Sequence, residues 1–93
     1  MNTLTLIIDN TREIYDVTEQ LAECIAKKIR LGVTIDRSKL LKSSAMARII
    51  RMAKSKAKAY GDEFDKSDIA EAREIHTDYV LELANDFARS QKG

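Results

Sequence analysis

Proline is absent from this chain, glycine occurs three times and cysteine once. A β-sandwich or barrel needs turn residues at each reversal, so the shortage excludes those folds and points to helices. One cysteine forms no disulfide within a chain and leaves no cysteine set for a structural zinc. No apolar run approaches the length that spans a bilayer, so no membrane association is expected. The opening residues MNTLTLIID show neither a basic leader nor a small-residue cleavage site, which makes the cytoplasm the expected location.

Chemical motifs are equally scarce. There is no Gly-x-Ser-x-Gly elbow and no glycine-rich loop to cradle phosphates. His76 is the only histidine, too few for a zinc site, and position 73 is Arg, which removes the Glu-x-x-His unit of di-iron bundles. No catalytic residue, metal or cofactor is expected, and the chain reads as a module that works by contact.

What is present is a chain of 93 residues, 44% hydrophobic and 33% charged. That is the composition of one globular domain, residues 1–93, with a single modest core. The net charge is +1, but its distribution is uneven. Residues 36–61 hold eight bases and one acid, whereas residues 62–93 hold four bases and nine acids. A basic middle is followed by an acidic end.

Helical periodicity runs through most of the chain. Ile14, Val17, Leu21, Cys24, Ile25 and Ile29 fall within about 140° on a helical wheel, with Asn10 as the expected cap and Glu13 bonding back to it. Cys24, on that stripe, is expected to be a buried small hydrophobe. Lys28 also sits in the stripe, its stem on the core edge and its ammonium outside. Asp36 caps a short helix, with Ile35 and Leu40 as a hydrophobic staple. The apolar face Met46, Ile49, Ile50, Ala53, Ala57 and Tyr60 is out of phase with Leu40 and Leu41, so a break is expected at Ser43–Ser44. Asp65 and Asp68 open the last helix, with Phe64 and Ile69 as a second staple. Its apolar face is Ile69, Ala72, Tyr79, Val80, Leu83 and Phe87. His76 at the centre of that face is expected to be a core histidine with a hydrogen-bond partner. Gly32 and Gly61 stand where helices end.

These signals predict an all-α protein, a small antiparallel helical bundle. Its three main helices lie at about 10–31, 44–60 and 65–89, with a short helix at about 36–42. Residues 3–8, TLTLII, fit either a helical extension or an extended arm. Leu4, Leu6, Ile7 and Ile8 need this core or another chain, and that apolar surplus makes a homo-oligomer, such as a homodimer, the expected state.

Two surfaces are candidates for function. Arg48, Arg51, Lys54 and Lys58 share an arc of about 120° opposite the apolar stripe, with Lys39 and Lys42 extending it. Several mobile cations on one face are what DNA or RNA phosphate binding requires, and Ser43, Ser44 and Ser55 are potential hydroxyl donors beside them. The competing explanation is structural: Lys54, Lys56 and Lys58 suit the negative end of their own helix, and a bundle shows water its charged faces. No helix-turn-helix pattern fits around Gly32, because Lys28 and Ser38 hold the wrong chemistry for their positions. Base-stacking modules need interleaved aromatics, and the basic segment has only Tyr60, on the apolar side. The second candidate is the acidic ridge Glu71, Glu74, Asp78, Glu82 and Asp86, whose like charges at helical spacing repel. With Arg73 and Arg89 as local relief, it fits a protein-interaction or inhibitor module, for which the apolar N-terminal segment is the other candidate surface.

Overall fold

The computed structural model describes residues 3–90. They form five helices: α1 (Thr3–Asn10), α2 (Arg12–Arg30), α3 (Arg37–Leu41), α4 (Ser44–Ala59) and α5 (Lys66–Ser90). No strand occurs among the described residues. The all-α bundle expected from the periodicity is therefore what forms.

Local chemistry explains most boundaries. Asp36 accepts from the Ser38 and Lys39 amides to start α3, and Ser43 Oγ accepts from Met46 N at 3.1 Å to start α4. At α5 the cap is reciprocal: Asp65 Oδ1 accepts from Asp68 N, and Asp68 Oδ2 accepts from Asp65 N, each at 3.0 Å. Two donors of the first turn are satisfied at once. Gly32 and Gly61 have φ of 81° and 73°. Each closes a Schellman motif: Val33 N bonds Lys28 O and Gly32 N bonds Ile29 O, and Asp62 N with Gly61 N repeat the pattern on Ala57 O and Lys58 O. A side chain in that left-handed conformation is strained, which is why glycine stands there.

The first boundary differs from expectation. Residues 3–8 are helical and belong to α1, not to an extended arm. Asn10 is not the cap of α2; it ends α1 and donates Nδ2 to Leu6 O at 2.8 Å. Thr11 adopts extended backbone between the two helices, and its hydroxyl donates back to Ile7 O at 2.6 Å. A side chain satisfied by the preceding helix is unavailable to cap the next one.

The long helices alternate in direction. Met46, at the start of α4, shares a core cluster with Ile25, Val80 and Ala84, whereas Ala53 and Ala57 at its end share one with Ile14 and Ala72. α4 therefore runs antiparallel to both α2 and α5, and α2 and α5, first and last of the three, run parallel. Thr18 meets His76 between the two clusters, so each turn of α2 faces the corresponding turn of α5. Leu4 and Ile8 of α1 are buried in the first cluster, and Ile7 packs on its edge. Leu4, Ile7 and Ile8 of the apolar N-terminal segment thus find their place in this core, while Leu6 stays 42% exposed.

Two predicted faces are rotated. Cys24 is exposed, and the buried line of α2 is Ile14, Thr18, Ala22, Ile25 and Ala26. On α5, Tyr79 is 43% exposed, and Thr77 and Ala84 are buried instead. Both shifts share a cause: the α2–α5 seam is built from small residues, which let the helices approach closely and turn the larger side chains to its edges. Tyr60 is also off the expected face, at 73% exposure, because α4 ends before it.

Candidate nucleic-acid interface

α4 is held by its inner face. Met46, Ile49, Ile50, Ala53 and Ala57 are buried, and a helix anchored this way presents its other side in fixed register. On that side Arg48, Arg51 and Lys58 are exposed and Lys54 is half-buried. The four basic residues expected together do share the outer surface of α4, but over two shallow grooves. Arg48, Arg51, Ser55 and Lys56 line one of about 290 Å³, opposite Glu13 of α2. Lys54, Ser55 and Lys58 line the other, of about 640 Å³, beside Asp62, Glu63 and Phe64. Ser55 forms the crest between them.

None of the ion pairs among the described residues uses a base of α4. Glu13, Asp62 and Glu63 flank the row without closing on it, so the cations remain free for an external anion. The two bases of α3 are placed differently. Lys39 lines a cleft with Lys28 of α2, away from the row, and Lys42 is exposed at the C-cap of α3. Of the serines, Ser43 is already occupied, accepting from Met46 N and donating to Leu40 O at 2.7 Å, whereas Ser44 and Ser55 are exposed.

The acidic ridge of α5 is partly tied down. Arg37 Nε reaches Asp78 Oδ1 at 2.7 Å and its terminal nitrogen reaches Oδ2 at 3.2 Å, a forked pair that the sequence reading missed. That hydrogen bond holds the Asp78 carboxyl below the usual carboxylate range and raises the Arg37 guanidinium. Asp86 pairs with Arg89 one turn on. Glu71, Glu74 and Glu82 stay exposed and form none of the ion pairs among the described residues. A basic residue directly after a cap aspartate was the only sequence hint of Arg37, and nothing local specified its partner.

His76 is structural in its contacts. The Thr18 hydroxyl donates to Ile14 O at 2.8 Å, so its oxygen accepts from His76 Nε2 at 2.8 Å. The ring stacks on Tyr79 at 5.7 Å between centroids. Burial pushes the imidazole down to about 4, which keeps it neutral at neutral pH. Among the described residues no group of three His, Cys, Asp or Glu side chains is placed to hold a metal, and no helix is long and apolar enough to cross a membrane.

No protein family, curated protein or solved structure shows significant similarity to this chain.

Proposed function

We propose that the chain is a non-catalytic binding module whose α4 face contacts the phosphates of DNA or RNA. The observation that carries this is the unpaired state of the α4 cations. Arg48, Arg51, Lys54 and Lys58 share the outer surface of a helix whose own residues include no acid, Lys56 flanks them half-buried, and none of the five is closed into an ion pair among the described residues. Phosphate affinity arises when such side chains displace condensed counterions, and a rigid helix holds them at intervals without a backbone-ordering cost. With no aromatic among the row, base stacking has no platform, and the contact we propose is to backbone phosphate. An exposed free thiol at Cys24 suits a reducing compartment, so we place the protein in the cytoplasm.

Fluorescence polarisation with a mixed-sequence oligonucleotide tests this. About four displaced counterions imply a roughly hundredfold loss of affinity between about 50 and 200 mM salt. Arg48→Glu with Arg51→Glu is expected to abolish binding while circular dichroism stays unchanged. Absence of binding at low salt, or binding indifferent to that pair, overturns the proposal.

Interaction with a protein through the acidic ridge stands second. Asp78 and Asp86 are engaged within the chain, and the apolar N-terminal segment that was the other candidate surface is mostly buried. Of that segment's apolar residues only Leu6 is exposed, at 42%, so homo-oligomerisation is proposed on a different surface.

A further inference from the structure

We infer that the cleft between α2 and α3 receives the acidic outer face of α5 from a second copy of this chain. The cleft, of about 380 Å³, is lined by Leu21, Ile25, Ile35 and Leu40, with Val33 at its edge and Lys28 and Lys39 among the lining residues. Beside it the linker leaves Leu31 81% and Val33 50% exposed, so apolar surface continues out of the cleft. Contiguous apolar surface with a charged rim is the pattern of an interaction site, and scattered single residues are not. The field in the cleft is positive. Its one acid, Asp36, is engaged in capping α3, and neither lysine belongs to an ion pair among the described residues.

The complement lies on the same molecule. Ile75 and Tyr79 are 45% and 43% exposed, one turn apart on α5. Glu71, Glu82 and Asp86 project on the same side of the helix, at its turn spacing. Two apolar anchors one turn apart on an acidic helix are how helices dock into basic-rimmed grooves. Docking within one chain is excluded by the core, because His76 on Thr18 pins α5 to α2 with Tyr79 stacked at the edge of that contact. The chemistry already operates once inside the molecule, where Arg37 of α3 grips Asp78 of α5. A second copy supplies the remaining match. The surface is independent of the α4 row.

Cys24 makes the test direct, since it is the only cysteine, is exposed, and lines the cleft. Sedimentation velocity is expected to show dimers or longer assemblies at high micromolar concentration. Over the same range, alkylation of Cys24 by a maleimide slows several-fold, and chain already alkylated sediments as monomer. Lys28→Glu with Lys39→Glu is expected to give a monomer, as is Glu71→Lys with Glu82→Lys. Mixing the two variants restores association, because each again faces an opposite charge; a folding defect would not be rescued this way. The inference is overturned if the unaltered protein stays monomeric through high micromolar concentration. It is equally overturned if both charge-reversed variants associate normally, if their mixture does not, or if Cys24 reacts at a concentration-independent rate. Oligonucleotide binding through Arg48 and Arg51 is read separately and survives any of these outcomes.

Discussion

α4 and α5 are built on opposite plans. α4 buries bulky aliphatic side chains, Met46, Ile49 and Ile50, and leaves its outer cations unpaired. α5 buries small or polar ones, Ala72, His76, Thr77 and Ala84 beside Val80, and has two of its outer acids tied to arginines. A helix with a large apolar inner face is secured by burial alone, so its outer face need not contribute to the fold. α5 instead seats small residues at its centre, packs Ile69, Leu81, Leu83 and Phe87 on the core edges, and adds the His76 hydrogen bond and two surface ion pairs. Unpaired cations thus line α4, whereas α5 has two acids paired and leaves Glu71, Glu74 and Glu82 unpaired among the ion pairs of the described residues.

The largest effect that probes this contrast is on the α4 interior. Ile49→Ala is expected to cost about 2–5 kcal/mol in urea unfolding, since it opens a cavity at a fully buried site. On α5 the sensitive direction is reversed. Ala84→Leu should cost about 1–3 kcal/mol by overpacking the close α2–α5 seam, and a neutral result would show the seam to be looser than its small residues imply.

Acid sharpens the comparison, because only α5 carries a buried titratable group. The His76 pKa is about 4 in the fold against 6.5 when free, so the folded state favours neutral imidazole. Its stabilisation is fully present above 6.5 and is lost as pH falls from there to about 4. The loss is on the order of 3 kcal/mol. It precedes the losses from Asp65 and Asp78, whose lowered pKa values put their windows below the ordinary carboxylate range. His76→Gln, which still donates to Thr18, is expected to flatten the profile between those two pH values. An unchanged profile would place the acid sensitivity elsewhere.

Smaller effects concern the ends and surfaces. Gly61→Ala meets no atom within 4 Å, so its expected cost of about 1–2 kcal/mol comes from the left-handed backbone alone, read as a shift in thermal midpoint. Least disruptive is Arg37→Ala. It is expected to leave the fold intact while the Asp78 carboxyl titrates upward towards its ordinary range by NMR. An unmoved Asp78 would mean the forked pair does not persist in solution.

Much of the fold was legible in the residues. Asp36, Ser43 and Asp65 bond where their spacing to the following amides implied, because a cap involves only its own turn. Gly32 and Gly61 end helices for an equally local reason. The apolar face of α4 was legible because its large residues dominate the period. α2 and α5 were harder. A pattern that weights Cys24 and Tyr79 by their apolarity overlooks Thr18, Ala22, Thr77 and Ala84, whose value lies in being small. The candidate site was legible as a row of charges on one side of a helix. That the row is flanked by Glu13, Asp62 and Glu63, and that Lys39 turns into a separate cleft, was not.

The residues alone determined where α3, α4 and α5 begin, where α2 and α4 end, which side of α4 is greasy, and the charge each outer surface carries. Those depend on neighbours within a turn or two, and the chain specifies such neighbours directly. Tertiary structure decided which threonine meets His76, that Arg37 clasps Asp78, and that Cys24 lies open in a cleft. These outcomes hang on how closely two helices approach, a distance set jointly by side chains far apart in the chain.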